Sequence, residues 1–491
     1  MQLITYADRL GGDLAGLRSL LNNEFRGLFT GVHILPFFDP IDGADAGFDP
    51  SDHSKVDPRL GDWGDIRALS ATHSIMADMI VNHVSAKSPE FEDVKARGEE
   101  SPYWPLFLKK TDIYPDYPLD PEVANIYRPR PGSPFTTIRL DSGLEQEFWT
   151  TFSANQLDIN VESAQGRAYL ERILDTFAAA GIREIRLDAA GYAIKRRGTN
   201  CFMLPETFDF IGDVSESAAK RSIDALVEIH SHYQTQIDIA SRVGRVYDFA
   251  LPPLVLHAIY TGNGEALKRW FSIAPRNCVT VLDTHDGIGI RDVGPFAGKP
   301  GLLADDQINA LVETMHAKTN DESRQASGHA ASNLDIYQVN ATFYDALGQS
   351  DRDYLIARAI QFFAPGTPQV YYVGLLAGTN DTQLMQRTGV GRDINRHYYT
   401  NDEIREAVQK PVVKQLMKLM RLRNELPVFN GSFSVVDSSA DTLVLRWEDV
   451  DGYAQLNVDF GERSASIRYS VAGATGNLHI DGHSLADSAT Q

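Results

Sequence analysis

Apolar residues along this chain follow two alternating rhythms. Short, nearly continuous apolar runs appear as "LITYA", "GVHILPFF", "IMADMIVNH", "REIRLDA", "DALVEIHS", "VYDFALP", "NCVTVLDTHD" and "PQVYYVG". Between them lie stretches with apolar residues three or four positions apart, as with Leu14, Leu17, Leu20 and Leu21 after the first run. The runs predict buried strands and the spaced stretches predict amphipathic helices. Strands alternating with helices predict a parallel sheet of the α/β class, and eight such units fit a closed (β/α)8 barrel. An open doubly wound sheet is the rival arrangement, weakened by the lack of a G-x-G-x-x-G after the first run.

The rhythm is interrupted twice and then replaced. Residues 82–162 are rich in Pro, Tyr and Asp ("YWPLFLKKTDIYPDYPLDP", "IYRPRPGSPF"), and residues 288–348 also intervene before the last run. Insertions of this size belong on connecting loops, and the βα loops build the working face of such barrels. The barrel is therefore expected over 1–81, 163–287 and 349–428, with loop insertions at 82–162 and 288–348. After a helix near Pro411 (Val413, Leu416, Met417, Met420), Ala454, Leu456, Val458 and Phe460 alternate with polar residues beyond an Asp451-Gly452 turn signal. This predicts an antiparallel β domain over 429–491.

Polar residues gather at the ends of the predicted strands. In "REIRLDAAGYA", alternation puts Ile185 and Leu187 on one face, with Arg186 and Asp188 on the other. The helix before it, "LERILDTFAAAG", should end at Gly181. The third run ends in Asp78, Asn82 and His83, the fifth carries Glu228 and His230 on one face, and the seventh ends in Asp283, His285 and Asp286. An Arg-x-Asp alone reads as a structural ion pair, Asp286 alone as a helix N-cap, and a lone histidine as a satisfied core residue. Burying many unpaired acids at one rim is costly, so packing is a poor explanation for all of them together. Asp188, Glu228 and Asp286 point instead to glycoside chemistry, which needs a nucleophilic carboxylate and a protonated acid on either side of one bond. Asp283 is assigned a structural role. Metal catalysis is disfavoured, because Arg186 alternates with the acids and no H-x-x-x-H helix occurs.

Composition narrows the classes further. The 491 residues are 43% hydrophobic and 23% charged, which fits a folded chain of more than one domain. A net charge of −20 opposes nucleic acid and anionic membranes as partners, and means that any anionic substrate needs local cations. Cys201 and Cys278 lack metal-site spacing and are expected as free thiols. No signal peptide or membrane-length apolar run is visible, so a cytoplasmic protein is expected.

The segments "DMIVNH", "IRLDA", "VEIHS" and "LDTHDG" resemble, in order, the four motif regions of the α-amylase-type glycoside hydrolase clan. Longer stretches, among them "QLITYADRLGG", "GVHILPFFDPIDGADAGFDPSDHSKVDPRLGDW", "AASNLDIYQVN" and "GRDINRHYY", resemble the sucrose phosphorylases within it. The resemblance spans nearly the whole chain. It implies Asp188 as nucleophile, Glu228 as acid and then base, and Asp286 as transition-state stabiliser. It also implies a glucose subsite of Asp45, Phe48, His83, Arg186, Tyr192, His230, His285 and Arg392. An acceptor region would comprise Tyr127, Arg130, Gln156, Asp335, Tyr337 and Gln338. The implied partners are sucrose, inorganic phosphate, fructose and α-glucose 1-phosphate, with no metal and no cofactor such as pyridoxal phosphate. A homodimer is one assembly open to it.

Two of these residues also have a physical reading. Phe48 after Gly47 offers an aromatic face for the C–H face of a sugar, or else a core ring. In "YRPRP", an extended backbone would put Arg128 and Arg130 on one side, and guanidinium suits phosphate; only Arg130 is implied by the resemblance. Three rival functions are a sister phosphorylase for sucrose 6'-phosphate, glucosylglycerol or glucosylglycerate, an α-glucoside hydrolase or transglycosylase, and a non-catalytic carbohydrate-binding protein. An anionic acceptor would call for extra cations, whereas "NLDIYQ" offers an acid and no base.

Overall fold

Eight parallel strands close into a barrel in the computed structural model of the chain, which describes residues 1–42, 46–116, 119–128, 132–296, 298–328, 338–471, 473–480 and 485–487. They are β1 (Gln2–Thr5), β2 (Gly31–Ile34), β3 (Ser74–Ile80), β4 (Glu184–Asp188), β5 (Asp224–Val227), β6 (Arg245–Asp248), β7 (Cys278–Thr280) and β8 (Thr367–Tyr371). Each pairs in parallel with its sequence neighbours, and β1 closes on β8 through Leu3 opposite Val370. The closed barrel replaces the open-sheet rival, and each predicted run supplies one barrel strand.

Side-chain alternation explains what fills the barrel. On β4, Ile185 and Leu187 are fully buried in the main hydrophobic core, while Glu184, Arg186 and Asp188 turn the other way. Inside, Glu184 accepts from Gln2 and Arg245, and Gln369 donates to Gln2, making a polar layer toward one end. Met76, Leu226, Tyr247, Phe249, Val279 and Val281 form a separate apolar cluster. Arg186 lies further along β4, toward the rim that carries the βα loops.

The loops depart from the predicted pattern in one instructive place. "IMADMIVNH" is not one strand. β3 stops at Ile80, and His83–Ser85 pairs antiparallel with Gln156–Asp158. Val81 and Asn82 are fully buried at the bend, so the unbroken apolar run signalled burial rather than a straight strand. The first insertion also holds a hairpin, Phe135–Arg139 with Glu145–Trp149, over a small core of Leu108, Tyr114, Ile126, Trp149 and Cys201. In the second, Ile288–Gly289 pairs with Gln338–Val339. Among the described residues, Asp286 is followed by the strand Ile288–Gly289 rather than by a helix, so the N-cap reading of that residue does not hold.

The helix Ala164–Ala179 buries Leu170, Ile173, Leu174 and Phe177, is capped by Ser163, and gives way at Gly181, where φ is +81°. After the helix Pro411–Glu425 comes an antiparallel meander of β9 (Ser432–Val436), β10 (Thr442–Asp449), β11 (Gly452–Asp459), β12 (Ser464–Val471), β13 (Ala474–Ile480) and β14 (Leu485–Asp487). A Cβ at Gly452 would lie 1.7 Å from the Ser470 carbonyl oxygen, so the β10–β11 turn requires glycine. The sheet docks on the barrel partly through Trp447, whose indole donates to the Phe363 carbonyl at 2.8 Å. Among the described residues, no helix is long and apolar enough to cross a membrane, and Cys201 and Cys278 are both buried and free.

Asp283 shows what a structural acid looks like here. It follows β7 and accepts from Arg358 Nη2 through both oxygens, at 2.7 and 2.8 Å, and both side chains are out of solvent. Arg358 also reaches Tyr354 and Gln361, which ties the helix Asp351–Phe363 to the end of the barrel. Asp283→Ala strands the guanidinium. It should destabilise the protein by about 3–5 kcal/mol, measured as a lowered urea midpoint; an unchanged midpoint would contradict this role.

Candidate active site

Arg186 is the hub of the βα face. Its Nη1 lies 2.5 Å from Asp78 Oδ1 and 2.9 Å from Asp188 Oδ1, and its Nη2 is 3.6 Å from Glu228 Oε1. Asp78 and Arg186 are buried, while Asp188 and Glu228 keep partial access to the cavity above. Burial alone would raise the Asp78 pKa, but His33 at 2.9 Å and Arg186 override it and hold it at about 2. Burial works against the Arg186 charge, yet Asp78, Glu228 and Asp188 together keep it firmly protonated.

The backbone explains why Asp188 is presented. β4 ends there, and Ala189 adopts a left-handed φ of +57°, uncommon for a residue with a Cβ. A short 3-10 turn, Ala190–Tyr192, then returns Tyr192 to the cavity wall. β5 ends one residue before Glu228, whose N–H still donates to the Leu187 carbonyl at 3.3 Å. Glu228 and His230 both face the cavity, as alternation predicts.

Asp286 comes from the segment after β7. Burial would raise its pKa, but Arg392 Nη1 at 2.8 Å and Arg396 Nη2 at 3.8 Å hold its carboxyl well below the usual range. His285 is pushed the opposite way, down to about 3, chiefly by burial, so it is neutral near pH 7. Its ring stacks on Phe48, with centroids 4.9 Å apart, and Arg186 sits over the same Phe48 ring at 5.5 Å. The Phe48 carbonyl meets His83 Nε2 at 3.0 Å. His230 stacks on Phe249 at 3.7 Å, and its Nε2 is 3.4 Å from Glu228 Oε1.

These groups enclose about 150 Å³, room for one small ring. Phe48, His83, Arg186, Asp188, Tyr192, Glu228, His230, His285, Asp286, Gln338 and Arg392 all line it. Gln156 is instead buried behind His83, with its amide nitrogen 3.0 Å from His83 Nε2. Tyr127 lies outside the lining, stacked on Tyr192 at 6.1 Å. Asn82 is fully buried and accepts from Lys195. Arg128 donates to the Thr150 and Thr151 carbonyls. Asp45, Arg130, Asp335 and Tyr337 lie outside the described residues.

Sequence reasoning missed Phe152 and Phe202, which flank Tyr192 at 5.1 and 4.8 Å. Both sit in loops, where no periodicity singles out an aromatic residue. It also missed His33, whose only signal was one imidazole in an apolar strand. Glu228, His230 and Asp286 bring donor atoms within 4.8 Å of one another, a spacing that could suit a cation. Arg186 and Arg392 already contact those two carboxylates, which opposes a second positive charge there.

The chain matches known proteins along its length. The family described as "Alpha amylase, catalytic domain" matches residues 5–248. A sucrose phosphorylase of Agrobacterium vitis is 56% identical, covering 96% of this chain and 97% of the relative. One of Bifidobacterium adolescentis is 51% identical, covering 94% and 92%. The crystal structure of sucrose 6F-phosphate phosphorylase from Thermoanaerobacter thermosaccharolyticum superposes with a TM-score of 0.89 at 36% identity, covering 97% of each chain.

The buried, neutral His285 makes folding sensitive to acid. Its folded pKa of about 3 lies below the ordinary 6.5, so stability is unaffected above about pH 6.5 and falls as pH drops from there to about 3. Between pH 6.5 and 5 the loss from this residue should be about 2 kcal/mol. Urea denaturation at the two pH values should show that His285→Gln removes this share of the decline; an undiminished decline would contradict it.

Proposed function

The chain belongs to the sucrose phosphorylase family of the α-amylase clan, and from that premise we propose that it moves the glucosyl group of sucrose to inorganic phosphate, giving α-glucose 1-phosphate and fructose. The observation that carries the reading is the convergence of Asp188, Glu228 and Asp286 on one small cavity, with a single guanidinium touching the first two.

Asp188 is the nucleophile. Its carboxylate attacks the anomeric carbon of the glucosyl unit, and the bond from that carbon to the fructosyl oxygen breaks. Glu228 gives its proton to the departing oxygen, so fructose leaves neutral. Arg186 favours the carboxylate form of Asp188 and orients it. The product is a β-glucosyl ester on Asp188. Phosphate then attacks the same carbon from the face that fructose left, Glu228 takes up the proton released, and the ester bond breaks. Two inversions give net retention and the α anomer.

Asp286 is held anionic by Arg392 and Arg396, which suits it to grip sugar hydroxyls as positive charge develops on the ring. Phe48 borders the cavity while its ring packs against His285 and Arg186, and His83 and His285 supply hydrogen bonds at the cavity wall. No metal or organic cofactor takes part in this scheme. On this reading the enzyme works in the cytoplasm.

Phosphate must outcompete water for the ester although the chain carries a net charge of −20. Arg130 is the proposed cation for it, with Tyr337 as the proposed hydrogen-bond partner. The acceptor in the forward reaction is plain phosphate and the leaving group is neutral fructose, because "NLDIYQ" adds no cation for a phosphorylated sugar.

The test is release of glucose 1-phosphate from sucrose with and without phosphate. Sugar phosphate should form only with phosphate, and Asp188→Asn should lose both phosphorolysis and hydrolysis by several orders of magnitude. Equal turnover to glucose and fructose in either buffer would indicate a hydrolase. Arg130→Ala should raise the phosphate KM steeply, by the equivalent of ~2–4 kcal/mol in phosphorolysis, while hydrolysis of sucrose survives. An unchanged phosphate dependence in the folded variant would remove Arg130 from this role.

A further inference from the structure

Behind His230, on the side away from Glu228, lies a carboxylate that the mechanism above does not use. Asp292 follows the short strand Ile288–Gly289 and is 1% exposed. Its Oδ1 accepts from the Ser231 N–H at 3.1 Å and from Gln236 Nε2 at 2.7 Å. Its backbone carbonyl accepts from the Tyr233 N–H at 2.8 Å. Three contacts therefore fasten Asp292 to the segment that carries His230. Its Oδ2 makes no hydrogen bond among the described residues and faces His230 Nδ1 at 3.8 Å.

The surroundings keep that line open. A Cβ at Gly289 would sit 2.5 Å from Asp292 Oδ2 and 3.6 Å from His230 Nδ1, so only glycine leaves room between the two groups. Phe249 stacks on the imidazole with an interplanar angle of 13° and fixes the plane of the ring. With its plane fixed and Nδ1 turned to Asp292, the ring can present only Nε2 to Glu228 Oε1 at 3.4 Å, with the Gln338 amide nitrogen also 3.4 Å from Nε2.

We propose that Asp292 is a positioning residue for the acid/base step: it holds the Nδ1 side of His230 so that Nε2 stays directed at Glu228. The consequence is chemical. An imidazole whose Nδ1–H points to a carboxylate has a defined tautomer and orientation. Nε2 then meets the Glu228 oxygen as that group alternates between carboxylic acid and carboxylate. Substrates whose leaving group needs a proton depend on this arrangement, and substrates with a good leaving group depend on it less. The proposal rests on Glu228 being the acid, as set out above.

The test compares sucrose with α-glucosyl fluoride in Asp292→Asn, a variant of nearly the same shape. kcat on sucrose should fall about tenfold or more, with the sucrose KM little changed, while glucosylation from the fluoride should fall several-fold less. A purely structural role would lower both donors alike, and that result would overturn the proposal, as would full activity. Gly289→Ala, which displaces the Asp292 oxygen without removing it, should give the same donor-selective loss and decides the matter if Asp292→Asn does not fold. Glu228→Gln supplies the control. If it spares the fluoride, Glu228 is the acid, and Asp292→Asn added to it should cause little further loss on either donor. A full multiplicative loss in the double variant would overturn the positioning role while leaving the assignment of Glu228 intact. Equal loss on both donors in Glu228→Gln alone would overturn that assignment, and the proposal with it.

Discussion

Arg186 is one guanidinium placed inside a barrel, and three acids are arranged around it. A lone cation at that depth would be very costly, and so would Asp78, which is fully buried. Together they form a charged pair backed by His33, and the pair fixes the end of β4 against β3. The remaining face of the guanidinium is then turned to Asp188 and Glu228, where the cavity begins. The ion pair that anchors the barrel interior thus also sets the charge and aim of the groups that face the cavity. Arg-x-Asp on β4 is more than a two-residue ion pair: Arg186 joins the buried Asp78 to the two acids at the cavity.

A second constraint is where cations sit in an acidic protein. Arg392 and Arg396 converge on Asp286, and Arg186 on the other two acids, so the cavity is locally balanced against a strongly negative chain. Screening reduces the distant field beyond roughly 8 Å at physiological salt, but it does little inside a cavity of this size. The neutral imidazole of His285, sandwiched against Phe48, adds hydrogen-bonding capacity without further charge. Such a site suits a neutral sugar, and an anionic acceptor needs a cation from elsewhere in the loops.

Most of this was legible in the sequence because the barrel imposes two strict periods. A period of two separated Arg186 and Asp188 from Ile185 and Leu187, and the order of strands placed the polar ends on one rim. Periodicity fails where the chain leaves the barrel. The bend after Ile80 was hidden because buried residues on both sides of it read as one apolar run. Phe152 and Phe202 come from loops, and Gln156 turned out to support His83 from behind rather than border the cavity. Asp292 was invisible for a related reason: its partner, His230, is distant in sequence and is brought to it only by the fold.

The central claim is that Asp188 carries the glucosyl group between donor and acceptor. The most direct measurement is peptide mapping by mass spectrometry of Glu228→Gln protein quenched during reaction with α-glucosyl fluoride, since loss of the acid/base slows breakdown of the ester more than its formation from that donor. The account predicts one added glucosyl group on the peptide containing Asp188, discharged as α-glucose 1-phosphate or glucose when the reaction continues. An adduct on a different carboxylate, or turnover with no covalent species at all, would contradict it.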